Sequence, residues 1–146
     1  MATIQRTFSV GASQDDVFAF LADHANDVQW LPGVTDARNF TGEGTGYEWE
    51  LTYKMAGISF NVIGQVIEHD PPRRHVVETR SGMVSRWDWT LEPEGDGTRI
   101  SLLMEYTIPV AAVGKIAERI LLKQNEKVAD EGMANLQRIL GGRETG

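Results

Sequence analysis

The sequence predicts an α+β fold: a curved antiparallel sheet of about seven strands wrapped around a long C-terminal helix, with two short helices after the first strand. Three observations carry this. Apolar and polar residues alternate through much of 34–108, as where Trp87, Trp89 and Leu91 interleave with Arg86, Asp88 and Thr90. Turn signals divide that stretch into six segments joined closely enough for hairpins. After Pro109 the pattern reverts to a helical period over 111–140, the longest element of the chain.

The first strand covers about 2–10. Ser13 is placed as an N-cap with Asp16 positioned to answer it, and Val17, Phe18, Phe20 and Leu21 form the apolar stripe of the helix that follows. A second short helix spans about 25–31 and stops at Leu31-Pro32-Gly33, because Pro32 disfavours helical geometry in the residue before it. Strands are then punctuated at Gly42 to Gly46, Ala56-Gly57, Asp70-Pro71-Pro72, Ser81-Gly82 and Glu94 to Gly97. Asp96-Gly97 is the strongest of these signals, since the dipeptide suits a tight loop needing positive φ. The last helix ends at Gly141-Gly142. Its apolar residues Ile116, Ile120, Leu121, Val128, Leu136 and Ile139 are read as one side, with Lys115, Glu118, Lys127, Asp130 and Arg138 elsewhere. Gly114 and Gly132 each mark a bend or a close backbone approach.

A chain of 146 residues is read as one domain, 1–146, able to bury its own core. The net charge of −7 without a compensating basic cluster argues against nucleic acid and against tight docking on anionic lipid. With no cysteine, disulfides, thiolate catalysis and cysteine metal sites are excluded. MATIQRTFSV lacks the pattern of a signal peptide, and no apolar run approaches the roughly 18 residues that span a bilayer. The expectation is a soluble cytoplasmic protein without stable membrane insertion. Asn39-Phe40-Thr41 is then a chance glycosylation tripeptide.

One helix about 10 Å wide cannot fill the trough of such a sheet, so space between them is expected. Alternation turns Tyr47, Trp49, Leu51 and Tyr53 toward that trough, with Trp87, Trp89 and Leu91, and with Ile100, Leu102, Met104 and Tyr106. Phe60 joins them as a lining residue. Buried tryptophan and tyrosine need partners for N–H and O–H, which suits them to line a cavity; the competing reading is a trough packed solid with aromatics.

His24, His69 and His75 show no metal-ligand spacing, and no metal or cofactor is expected. His75 shares strand parity with Val77 and Thr79, so it either faces the trough, able to move protons, or is a partly exposed strand histidine. His69, beside Asp70-Pro71-Pro72, reads as a turn residue. No Gly-x-Ser-x-Gly elbow exists, and the glycines of Gly42 to Gly46 precede a strand instead of opening a helix, unlike a phosphate loop. Arg38, Arg80, Arg86, Glu48, Glu50, Asp88 and Glu105 are expected to pair across strands on the wet face. The residues name no catalytic group.

Asp16-Val17-Phe18, Trp30-Leu31-Pro32-Gly33-Val34, Glu68-His69-Asp70-Pro71-Pro72-Arg73-Arg74 and Trp89 to Arg99, in that order and spacing, resemble the START-like (SRPBCC) superfamily. This is the helix-grip fold of Bet v 1-like pollen allergens and of the polyketide cyclase/dehydrase and coenzyme-Q-binding branches, and the likeness runs from about 3 to 140. It implies a small hydrophobic molecule, such as a lipid, quinone or polyketide, held between sheet and C-terminal helix. It adds Trp30 to the lining, and Gln124 and Asn125 either orient a ligand oxygen or face solvent. The expected function is binding or transport of that molecule. The alternatives are an aromatic polyketide cyclase or dehydratase working without a cofactor, and a protein-interaction module.

Overall fold

The computed structural model describes residues 2–55, 57–108 and 110–141; Ala56, Pro109 and Gly142, named above as turn or break residues, lie outside them. Strand β1 (Ala2–Val10) leads into helix α1 (Gln14–Ala22), a 3₁₀ turn (His24–Asn26) and helix α2 (Asp27–Trp30). Strands β2 (Val34–Thr41), β3 (Glu48–Met55), β4 (Ile58–Asp70), β5 (Arg74–Arg80), β6 (Val84–Glu94) and β7 (Gly97–Thr107) follow, then helix α3 (Val110–Ile139). The strands form one antiparallel sheet in the order β1-β7-β6-β5-β4-β3-β2. Consecutive strands from β2 to β7 are neighbours, and β1 closes the meander on β7.

Ser13 caps α1 by accepting the Asp16 amide at 3.2 Å, and Val17, Phe18 and Leu21 are buried beneath it. The helix expected over 25–31 is two pieces, since Asp23 accepts the Ala25 amide and winds a 3₁₀ turn ahead of α2. This places His24, Asp27 and Trp30, three residues apart, all in the interior.

In α3 the face turned to the sheet carries Leu121, Asn125, Val128, Gly132 and Leu136, at spacings of three and four. The expected stripe was too wide. Ile116 and Ile120 are 80% and 53% exposed. They lie about 140° and 100° around the helix from Leu121, because each residue turns it by about 100°. Ile139 sits at the exposed rim. The two glycines act differently: Gly114 is non-helical (φ 81°, ψ 164°) and breaks the helix, whereas Gly132 lets Trp30 lie against it, since a Cβ there would stand 3.3 Å from the ring.

The β6–β7 loop corrects the expected turn. Glu94 pairs with Gly97, so the loop is Gly95-Asp96, and Gly95 carries the positive φ (59°). Gly97 is required for a different reason, since a Cβ there would lie 2.2 Å from the Val10 carbonyl oxygen.

On the outer face, Arg80 bonds Glu48 at 2.9 Å, Arg86 bonds Glu78 at 3.1 Å, and Arg74 bonds Asp88 at 2.7 Å, the cross-strand pairing that alternation implied. Among the described residues, no helix is long and apolar enough to cross a membrane.

Candidate functional site

Under α2 and α3 the inner face of the sheet leaves a cavity. Its wall includes Leu21, His24, Asp27, Trp30, Trp49, Leu51, Tyr53, Val62, Val77, Met83, Trp87, Trp89, Met104 and Asn125. All four tryptophans of the chain meet there. The cavity is a narrow slot of about 60 Å³, within a space of about 680 Å³ that takes in its open mouth.

The aromatic wall is built by alternate residues of β6 and by a ring from α2. Trp87 and Trp89 stack with centroids 6.3 Å apart, and Trp30 reaches down from α2 to meet Trp89 edge-on at 5.6 Å. Asn135 of α3 donates to the Trp30 carbonyl at 2.9 Å, fixing α2 to the long helix. Trp49 lies over Gly64, its partner on β4; a Cβ at 64 would come within 2.6 Å of the indole.

Few polar groups enter this wall, and several are unpaired. Trp87 donates its indole N–H to Ser85 at 2.9 Å. Among the described residues, the indole N–H groups of Trp30 and Trp49 and the amide nitrogen of Asn125 have no hydrogen-bond partner. These three residues are 4%, 1% and 3% exposed. Asn125 accepts from the Tyr53 hydroxyl at 3.3 Å; its side chain also reaches toward Tyr106, whose phenol burial raises and this contact draws down, but its amide nitrogen makes no hydrogen bond of ordinary length. Burial raises the Tyr53 phenol above its ordinary range, with Tyr106 adding to the effect. It stays a neutral donor.

At the α1 end of the cavity, four titratable side chains form a line. Asp27 Oδ2 lies 2.9 Å from His24 Nδ1, His24 Nε2 lies 3.0 Å from His75 Nε2, and His75 Nδ1 lies 3.3 Å from His69 Nδ1. His24 and Asp27 line the cavity; His75 and His69 line a separate recess with Asp23, Glu43, Gly44 and Tyr47. Burial, then His24, then His69 push the His75 imidazole down to about 3. It is neutral throughout the physiological range. The nitrogens face one another in series, and among the described residues no three metal-ligating groups gather to hold an ion.

His75 is 1% exposed, which decides between its two readings in favour of the interior; one further expectation is corrected. His69 lies within β4 and is not a turn residue. A register shift between Val66 and Glu68 changes the parity of β4, and His69 then pairs directly with His75, which puts both on the inner face.

Of the residues expected to line the cavity, the structure brings together Trp30, Trp49, Tyr53, Trp87, Trp89, Met104 and Asn125. Tyr47 and His75 lie in the neighbouring recess, where burial, then Asp23, then Asp27 raise the Tyr47 phenol. Phe60 is buried in the core outside the lining, and Tyr106 lines another recess beside Val84 and Ser85. Gln124 is half-buried and outside the lining, one step around α3 from Asn125. Sequence reasoning missed His24 and Asp27. Their signal was the i, i+3, i+6 spacing of His24, Asp27 and Trp30 within a short helical stretch.

Compared with known proteins, residues 1–141 match the model of the family described as polyketide cyclase / dehydrase and lipid transport. No curated protein matches in sequence. Among solved structures, a START superfamily protein from Mycobacterium smegmatis is similar at 15% identity and TM-score 0.73, over 94% of this chain and 96% of that one. BexL, a di-domain ARO/CYC from the BE-7585A biosynthetic pathway, is similar at 14% identity and TM-score 0.74, over 97% of this chain and 50% of that one. Ara h 8.0201 is similar at 13% identity and TM-score 0.67, over 95% of this chain and 97% of that one. At such identities the likeness is one of fold. With a family model matched from end to end of that architecture, the chain belongs to the polyketide cyclase / dehydrase and lipid transport family, in the helix-grip fold.

Proposed function

We propose that the protein binds a small, flat, largely apolar molecule bearing carbonyl oxygen, held in the slot between the sheet and α3. One observation carries the reading: an aromatic wall containing three buried N–H donors without partners, on Trp30, Trp49 and Asn125. A buried donor left unpaired is unfavourable by about 1–3 kcal/mol, which a ligand acceptor recovers. An all-apolar ligand recovers none of it. Aromatic ketones, quinones and polyketide intermediates have the required shape and oxygens, and the family's description names polyketides and lipids. A catalytic version, a cyclase or dehydratase, draws on the Asp27–His24 pair in the same wall.

The test uses the four tryptophans as reporters. Titrated with 1,4-naphthoquinone and with naphthalene, the protein is expected to show saturable quenching by the quinone and distinctly weaker binding of the hydrocarbon. Equal affinity for the two removes the role of the donors, and no saturable binding of either overturns the reading. Native mass spectrometry of protein taken from its own cells, followed by organic extraction, then identifies the resident molecule.

A further inference from the structure

With Asp27 a carboxylate and all three histidines neutral, the hydrogen bonds of the four-residue line admit one arrangement of protons. A carboxylate only accepts, so His24 carries its proton on Nδ1 and offers a bare Nε2. His75 must then donate from Nε2, leaving Nδ1 bare, and His69 must donate from its own Nδ1. Each ring fixes the tautomer of the next. Packing holds the rings in place: His24 stacks on Trp49 with centroids 3.7 Å apart and planes 8° apart, and Phe18 abuts His75 and His69 at 5.6 and 5.1 Å. The result is a buried carboxylate in an apolar cavity, held by a donor whose direction is set three residues away. It shares that cavity with the three unpaired N–H donors. A fixed base beside hydrogen bonds able to receive developing charge on oxygen is the arrangement that proton abstraction next to a carbonyl requires.

We propose that Asp27 is a general base for proton transfer at the carbon beside a ketone of a bound apolar ligand, with His24, His75 and His69 as positioning residues. The inference rests on the ligand-binding reading. For a β,γ-unsaturated ketone the step balances without any co-reactant. Asp27 takes a proton from the α-carbon, and that C–H electron pair becomes a double bond to the carbonyl carbon as the carbonyl π pair moves onto oxygen. The resulting dienolate oxygen is hydrogen-bonded by the free N–H groups. Asp27 then returns the proton to the γ-carbon and the carbonyl re-forms, now conjugated. One C–H bond breaks and one forms.

The experiment follows the ultraviolet absorbance of 3-cyclohexen-1-one as it isomerises to 2-cyclohexen-1-one, a probe small enough for the slot. The protein is expected to exceed an acetate solution of equal concentration at least a hundredfold, with Asp27→Asn at the buffer rate and His75→Gln slowed at least tenfold. Nitrogen-15 spectra of the wild-type histidines are expected to show Nδ1–H on His24 and His69 and Nε2–H on His75. Their near-ultraviolet circular dichroism establishes that the variants are folded. A wild-type rate no better than acetate, in a protein that does bind 1,4-naphthoquinone, overturns the base while leaving the binding reading intact; absence of both overturns both. Asp27→Asn as fast as wild type also overturns the base. A different tautomer set, or His75→Gln at the wild-type rate, overturns the positioning role.

Discussion

The His24 imidazole lies flat on the Trp49 indole, with ring centroids 3.7 Å apart and planes 8° apart, and the same indole covers Gly64 across the β3–β4 ladder. The indole is therefore held by a ring and by the absence of a side chain. That makes Gly64 a control point for the cavity. A Cβ at 64 would sit 2.6 Å from two indole atoms, so Gly64→Ala must displace Trp49. Overpacking of this kind destabilises by about 1–3 kcal/mol. Urea unfolding is expected to show a loss in that range, together with a shifted tryptophan emission; unchanged stability and emission would mean the indole has room to move.

His75 makes stability depend on pH in a defined window. The imidazole takes a proton near 6.5 in the unfolded chain and at about 3 in the folded one, because of burial first and then the neighbouring His24 and His69, with Asp27 at the far end of the line. Its stabilising contribution is full above 6.5 and is lost as pH falls through 6.5 toward 3, since the unfolded state binds the proton first. The slope for one proton is about 1.4 kcal/mol per pH unit. Denaturant midpoints between pH 6 and 4 are expected to fall less steeply in His75→Gln than in wild type, by about one proton's worth. Parallel curves would mean that His75 titrates normally in the folded state.

Asn125 connects the helix to the slot. Its carbonyl accepts from Tyr53 at 3.3 Å, and its amide nitrogen is one of the three unpaired donors. Asn125→Leu removes both functions at once. The substitution leaves the buried Tyr53 hydroxyl without its acceptor but also removes an unpaired buried donor, two effects of similar size and opposite sign, so unfolding stability changes little. Binding of 1,4-naphthoquinone is expected to weaken about threefold to tenfold, the effect of one hydrogen bond, while naphthalene is unaffected. An equal loss for both ligands would assign Asn125 a role in shape alone.

The sheet and its facing residues are legible in the sequence because alternation leaves few choices. Once one residue of β3 or β6 faces inward, its second neighbours follow, which is why alternation alone turns Trp49, Tyr53, Trp87 and Trp89 to the inner face, where the cavity lies. The line of four titratable groups was not legible, and each reason is local. The parity of His69 depends on a register shift between Val66 and Glu68 that no residue pattern announces. The placement of His24 depends on a 3₁₀ turn capped by Asp23, where a single helix was the simpler expectation. On α3 hydrophobicity misled: Ile116 and Ile120 widened the stripe, while the polar Asn125 belongs to the core face. Long-range pairing, which brings residue 24 beside residue 75, is the information that periodicity does not hold.

The β6–β7 hairpin separates two requirements that a sequence pattern merges. Gly95 has φ of 59° and nothing within 4 Å of a built Cβ, so its need is conformational only. Gly95→Ala keeps the contacts and places an L-residue in left-handed geometry, a strain of about 1 kcal/mol. Gly97 has an extended backbone, and its built Cβ falls 2.2 Å from the Val10 carbonyl oxygen. Backbone cannot step aside as a flexible side chain does, so Gly97→Ala must part the end of β1 from β7, where Val10 pairs with Thr98. Its destabilisation is expected to exceed that of Gly95→Ala by at least about twofold, placing it among the larger single-residue effects. Amide hydrogen exchange should localise the damage, with Ser9 and Val10 losing protection in Gly97→Ala and keeping it in Gly95→Ala. If instead Gly95→Ala were the more disruptive, the loop conformation, and not the close approach of β1, would be what this corner of the sheet depends on.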